Sequence, residues 1–332
     1  MIISRTPFRT SFIGGGTDLA AFCDVEPGAV ISCAIQKYIY VTAKRQMPIA
    51  DYKYRISWNK LEFTNEIEEI EHPIIREALK MFDIDYPLEI TTFADVPSQT
   101  GLGSSSSFTV GLLNVLHALR RERVSKGQLA REAAELEINR LGRKIGTQDH
   151  YAAAYGDFNI FRFYPNLRTS VTPVLYKAER VTALEQRLLL FYTRKTRDAG
   201  ELLAVQSQEM SQKQKFDSLK QMLQYIQPLE ETLTGGRPLD DFGEILHTGW
   251  MLKKQLSSLI ADQQIDEMYS KARAAGAIGG KLLGAGGGGF LLVYVRPEQR
   301  QQVMQAMNGY FCLPVRFDTA GSRITYFDSF SL

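Results

Sequence analysis

The chain has 332 residues, 44% hydrophobic and 23% charged, a composition able to bury a substantial core and long enough for about two domains. Its formal charge of +2 excludes a broad basic footprint for nucleic acid, and no apolar run approaches the ~20 residues a membrane span requires. Cys23, Cys33 and Cys312, with the isolated His72, His117, His150 and His247, form neither a disulfide framework nor a zinc spacing. With no leader-like apolar segment after Met1, the expectation is a reduced, cytoplasmic protein.

In chain order, residues 2–13 read as one or two strands, with Pro7 at a kink or edge, and lead into the turn GGGTD at 14–18. Three adjacent glycines let a backbone approach a ligand closely, while Thr17 and Asp18 supply polar side chains; a hairpin turn capped by the aspartate is the plainer alternative. Segments 29–45 and 52–63 are rich in β-branched and aromatic residues and predict strands, and 65–82 predicts an amphipathic helix. Trp58 reads as an ordinary core or edge tryptophan rather than an aromatic wall for a base.

The stretch PSQTGLGSSSSFTVGLLNVLHALRR, residues 97–121, carries the strongest chemistry. A strand at 88–94 precedes it, Gly101 and Gly103 permit a sharp turn, Ser104 is a suitable N-cap, and Phe108, Leu112, Val115, Leu116 and Leu119 recur at helical spacing. Such a helix start offers unpaired N–H groups, partial positive charge and several hydroxyls, the ingredients of a phosphate cradle. A Gly-Ser turn also precedes many helices for structural reasons alone, yet one cap would suffice and here there are four serines.

Residues 125–141 predict a second helix carrying Glu132, Glu135 and Glu137, most of which belong on a solvated face. The segment 142–156, GRKIGTQDHYAAAYG, brings Asp149 to the start of a short helix, where a cap is the ordinary role. Beyond a strand at 157–164, the pattern changes near residue 180. A strand at 187–192 is followed by helices at 199–212, 216–233, 239–259 and 264–275. The chain then returns to sheet at 277–283 and 290–295, with a helix at 297–308 and strands near 315 and 324. GAGGGG at 284–289 satisfies G-x-G-x-x-G but runs into the apolar strand FLLVYV instead of opening a helix, which excludes a dinucleotide fingerprint.

Three stretches in this order, TPFRTSFIGGGTD at 6–18, PSQTGLGSSSS at 97–107 and GGKLLGAGGGGF at 279–290, resemble the signature motifs of the GHMP small-molecule kinases. That family is named for galactokinase, homoserine kinase, mevalonate kinase and phosphomevalonate kinase. The resemblance spans essentially the whole chain. TPFR with FIGGGTD, and AIQKYIYV at 34–41, are similar to the bacterial branch acting on D-glycero-D-manno-heptose 7-phosphate, whereas galactokinases carry Glu-His where this chain has Gly15 and Gly16.

The resemblance implies an α+β fold in two domains, 1–180 and 181–332. The first would hold a mixed sheet with helices, as in ribosomal-protein-like folds, and the second a ferredoxin-like unit with extra helices. It also implies that ATP and Mg²⁺ are used. Asp149 matches the aspartate facing the substrate hydroxyl, and Arg9 the arginine beside it, which would stabilise charge on the transferred phosphoryl group. Gly101, Leu102, Gly103, Ser104, Ser105 and Ser106 match the ATP loop, and Ser105 and Glu137 the metal ligands. Gly15, Gly16, Thr17 and Asp18 match the sugar-binding first motif, and 286–289 a supporting backbone.

His150, where galactokinases have glutamine, reads as a helix residue without a catalytic role. A phosphorylated sugar also needs a cationic pocket, for which TRKTR at 193–197, with Arg197, is the candidate; a solvated basic turn is the alternative. The expected partner is a small sugar or sugar phosphate, with neither nucleic acid nor membrane, and oligomeric state is left open between monomer and homodimer. The expected activity is phosphorylation of the anomeric hydroxyl of D-glycero-D-manno-heptose 7-phosphate. A fucose- or galactose-like sugar is the alternative substrate, and a non-catalytic sugar and ATP sensor the alternative from another class.

Overall fold

A computed structural model describes residues 1–196 and 213–328. Two sheets and the helices packed between and around them form one continuous hydrophobic core. The first sheet is built on β1 (Ile2–Ile13) and the long β2 (Gly28–Arg45), which pair antiparallel along nearly their whole length. A register shift falls between Pro7 and Phe8, so the kink expected at the proline is a bulge in one continuous strand. Proline brings no N–H to the ladder, and such an interruption re-aims the side chains that follow, Arg9 among them.

β3 (Tyr54–Ser57), β4 (Leu61–Thr64), β5 (Leu88–Ala94), β6 (Phe158–Phe163), β7 (Thr169–Pro173) and β12 (Arg323–Phe327) complete this sheet. Its main path runs β12-β1-β2-β5-β3-β4, with β6 and β7 branching from the first half of β2. The second sheet, β11-β8-β10-β9, joins β8 (Leu188–Tyr192), β9 (Ala277–Leu282), β10 (Phe290–Val295) and β11 (Cys312–Pro314) in antiparallel pairs. Near residue 180, in α6 (Ala178–Glu185), the chain leaves the first sheet for the second, and β12 rejoins the first by pairing with β1.

α3 (Ser104–Leu119) packs on β1 and β2. Leu112, Leu113, Val115 and Leu116 are fully buried there, each worth about 1.5–3 kcal/mol of burial. The single helix expected over 65–82 is interrupted. A 3₁₀ turn at Ile67–Glu69 is followed by α2 (Pro73–Met81), whose first residue is the proline. The residue before proline is pushed out of the helical region, and His72 instead caps α2, its Nδ1 accepting from Ile75 N.

The helix expected over 125–141 is α4 (Lys126–Ala134) continued by a π-helical turn, Glu135–Arg140. The expected helix 216–233 divides into α7 (Lys213–Leu223) and α8 (Ile226–Thr234), and the expected helix 199–212 lies outside the described residues. α9 (Asp241–Lys254) packs on β9 and reaches β1, coupling the sheets, with α10 (Gln263–Ala274) beside it on β9. α11 (Arg300–Ala306) completes the second layer, and α1 (Ala20–Cys23) and α5 (Gln148–Tyr155) flank the first motif and the end of β1.

Candidate active site

The first, second and third glycine-rich stretches converge on one cleft of about 1080 Å³. Gly101 and Gly103 have φ of 80° and 78°, the left-handed region that favours glycine, and they turn the chain from the end of β5 into α3. Gly103, not Ser104, is the N-cap of α3, and no side chain caps it. Because the turn is completed at the glycine, Ser104 becomes the first helical residue and the first-turn N–H groups face the cleft without an intrahelical acceptor. Ser104, Ser105 and Ser106 line the cleft. Leu102 does not: its side chain is fully buried in the core, and only its carbonyl serves the site, accepting from Arg9 N at 3.1 Å.

Arg9, from β1, and Asp149, from the first turn of α5, form a two-pronged ion pair. Nε donates to Oδ1 and Nη2 to Oδ2, each at 2.6 Å, while Nη1 donates to the Gly101 carbonyl at 2.6 Å. Arg9 is 4% exposed and Asp149 21%, so the carboxylate faces the cleft with the guanidinium behind it. A Cβ on Gly103 would lie 3.2 Å from Asp149 Oδ2, which gives that glycine a second reason.

Gly15, Gly16 and Asp18 line the same end. Asp18 Oδ1 accepts from Gln148 Nε2 at 2.9 Å and Gly16 N at 3.2 Å, and Oδ2 from Gln148 N at 3.2 Å. Burial and the neighbouring Asp149 charge push its carboxyl up. Thr17, expected at the ligand, is fully buried and turned away. Its hydroxyl donates to the carbonyls of Gly14 or Ala29 and accepts from Ala29 N, pinning the first-motif turn to the start of β2.

Glu137 lies in the π-helical turn and is fully buried. Oε2 accepts from Ser105 Oγ at 2.7 Å and Arg143 Nη1 at 2.5 Å; Oε1 accepts from Thr109 Oγ1 at 2.8 Å and lies 3.1 Å from His150 Nε2. Burial alone would raise this carboxyl, but the hydrogen bond and charge of His150, the charge of Arg143 and the Ser105 hydroxyl hold it at about 2. His150, fully buried, thus supports Glu137 without lining the cleft. The π turn carries the glutamate beneath α3, a use of this irregularity common at functional sites.

Reasoning from sequence missed three participants. Trp58, expected as an ordinary core or edge tryptophan rather than an aromatic wall, lines the far wall of the cleft, edge-on to His72 at 4.7 Å, with Phe108 5.0 Å beyond. Burial holds His72 down at about 4, so this aromatic wall is uncharged at neutral pH. Arg143 bridges Ser105 Oγ, at 2.7 Å, and Glu137. Lys253, from α9, is buried at the opposite end and donates to the Gly284 carbonyl. An alternating apolar pattern around position 58 and a lysine inside an apolar helix face were the available signals.

Gly286 and Gly288 of the third motif line the cleft and abut backbone, Ile260 and Lys195 respectively, where a Cβ would come within 2.8 Å. Of the basic segment, Arg194 donates to the Gly309 carbonyl, Lys195 pairs with Asp262, and Arg197 lies outside the described residues.

An uncapped helix start, hydroxyls and an arginine-backed carboxylate around one cleft are the apparatus of a phosphotransferase acting on an alcohol. Residues 72–157 match the model of the GHMP kinases N terminal domain, and residues 206–311 that of the GHMP kinases C terminal. The chain is 30% identical over 323 residues to D-glycero-alpha-D-manno-heptose 7-phosphate kinase of Campylobacter jejuni, covering 92% of this chain and 93% of that protein. Two solved structures share the fold. A putative sugar kinase from Campylobacter jejuni has a TM-score of 0.72 at 27% identity, covering 97% of both chains. A D-glycero-D-manno-heptose 1-phosphate kinase from Bacteroides thetaiotaomicron has a TM-score of 0.76 at 24% identity, covering 99% of this chain and 100% of that one. The chain belongs to the GHMP kinases.

Proposed function

We propose that the protein transfers the γ-phosphoryl group of ATP to the anomeric hydroxyl of D-glycero-D-manno-heptose 7-phosphate. The observation that carries the transfer chemistry is the Arg9–Asp149 fork, closed at 2.6 Å on both arms and opposed to the uncapped start of α3. The choice of sugar is supported by the Campylobacter jejuni relative, matched over nearly its whole length.

In this reading the triphosphate lies along Gly101, Gly103 and the first turn of α3, with the base toward Trp58 and Phe108. The sugar enters between Gly15, Gly16, Asp18 and Asp149, where Asp18 accepts from its hydroxyls. Asp149 orients the acceptor hydroxyl and receives its proton as the new P–O bond forms. The bond from γ-phosphorus to the bridging oxygen breaks, and ADP leaves. Arg9 holds Asp149 in place and supplies positive charge beside the phosphoryl oxygens.

Ser105 Oγ and Glu137 Oε2 form a hard-oxygen pair 2.7 Å apart, the donor chemistry that suits Mg²⁺, and Arg143 joins them through one nitrogen as a positive charge does. Mg²⁺ bound by these two oxygens would supply charge neutralisation of the β- and γ-phosphates. Glu137, ionised near neutrality, would hold the ion in the place Arg143 takes here.

The test is incubation with MgATP and a panel of heptose 7-phosphate, fucose, galactose, mannose and mevalonate, following ADP and the mass of the product. A bisphosphate from the heptose alone supports the reading. Turnover only on an unphosphorylated sugar removes the heptose assignment, and nucleotide binding without ADP on any acceptor removes the transfer reaction.

A further inference from the structure

Four cationic side chains line the cleft among the described residues: Arg9, Arg143, Lys144 and Lys253. Arg9 is committed to Asp149, Arg143 to Glu137, and Lys144 stands exposed at the rim. Lys253 differs from all three. It is 6% exposed, it comes from α9, and its ammonium donates to the neutral Gly284 carbonyl without forming an ion pair among the described residues. A buried ammonium facing only a carbonyl is costly, and the nearby charges do not cancel it. Arg9 from β1 and Lys281 from β9 repel it, and the attraction of Asp18 and Asp149 is shared with the hydrogen-bond partners those carboxylates already have.

We propose that Lys253 is the cation that binds phosphate oxygens at the acceptor end of the cleft, a role that rests on the kinase reading above. An arriving phosphate supplies the negative charge this buried site lacks, and the ammonium reaches it by turning from the Gly284 carbonyl, whose glycine also lines the cleft. Two sources carry this chemistry, the phosphoryl group in transfer and a phosphate on the acceptor, and they separate experimentally. Burial, with the Arg9 charge adding to it, holds the Lys253 ammonium down at about 8, so its charge is present below that pH and lost above it.

The experiment compares wild type, Lys253→Met and Lys253→Arg for kcat and KM on phosphorylated and unphosphorylated acceptors. Lys253→Met conserves volume without the charge. It is expected to lose about tenfold or more in kcat/KM, partly restored in Lys253→Arg. Loss in kcat on every acceptor assigns the ammonium to the phosphoryl group in transfer; a rise in KM on phosphorylated acceptors alone assigns it to the acceptor's phosphate. Lys253→Met within about twofold of wild type on all acceptors overturns the proposal.

Because Lys253→Met also leaves the Gly284 carbonyl unpaired, the pH profile supplies a second readout on folded protein. Wild-type kcat/KM should fall above pH ~8, and Lys253→Arg should move that limb up by about one pH unit or more. A limb unmoved by Lys253→Arg overturns the proposal while leaving the kinase reading intact. Wild type inactive on every acceptor overturns both.

Discussion

Gly101 and Gly284 meet backbone to backbone. A Cβ on Gly284 would lie 2.6 Å from Gly101 Cα, and one on Gly101 2.5 Å from the Leu283 carbonyl oxygen. The glycine turn before α3 and the third glycine stretch are therefore one packed unit. Both residues have positive φ, 80° and 75°. Gly284→Ala should cost about 1–3 kcal/mol in stability and raise the KM for ATP, measured by thermal denaturation and nucleotide titration. An unchanged melting temperature would mean the two loops separate freely.

The fork between Arg9 and Asp149 predicts different losses on its two sides. Asp149→Asn should lower kcat by about 10²–10⁴-fold and leave nucleotide affinity nearly unchanged, read by steady-state kinetics beside ADP titration. Arg9→Lys keeps the charge but cannot hold both carboxylate oxygens, so its loss in kcat should be smaller yet clear. Full turnover in Asp149→Asn would remove the aspartate from the reaction.

Arg143 joins the two oxygens proposed to hold Mg²⁺, so in that reading it would compete with the ion. Arg143→Ala should lower the Mg²⁺ concentration giving half-maximal thermal stabilisation by ADP, by about three- to tenfold. The arginine is 33% exposed, which keeps the effect modest. A higher Mg²⁺ requirement in the variant would show that Arg143 assists metal binding instead.

Glu137 gives the acid limb. A carboxyl held at about 2, below its usual 4.5, stabilises the folded state fully above pH ~4.5 and loses that contribution as pH falls through 2. The difference is on the order of 3 kcal/mol for this fully buried group. Urea unfolding from pH 6 to 2.5 should be steeper in pH for wild type than for Glu137→Gln. The variant should also be less stable at pH 7, because its amide brings hydrogens to a site already filled with donors.

The chain contains two tryptophans, Trp58 in the cleft wall and Trp250 fully buried. Adenine nucleotides should change the emission of Trp58 alone, and the change should vanish in Trp58→Phe. A signal surviving in that variant would locate the base elsewhere.

The glycine turn into α3 was legible because glycine φ and apolar periodicity are local properties, and Asp149 and Glu137 were singled out by their match to the family's motifs. What it missed depends on contacts distant in the chain. Lys253 enters the cleft only because α9 packs beneath β1 and β9, and Arg143 acquires meaning only where the π turn sets Glu137 against Ser105. Leu102 and Thr17 stood inside motifs but serve them from the buried side, since every tight turn has one face for the ligand and another for the core. The split of the expected helix at Pro73 was readable from the proline itself.

The pairing of Ile2 with Phe327 has a consequence for biosynthesis. Residues 2–5 of β1 find their outer neighbour more than three hundred positions later, so translation exposes an open strand edge until β12 has been made. At about 5–20 residues per second, that interval is roughly 15–65 s. The ribosome-bound chain must spend it with one border of its first sheet bare, the state in which strands recruit other strands. β12 then covers that border and becomes the edge in its place, as a strand of only five residues, the short length with which folded sheets blunt their edges.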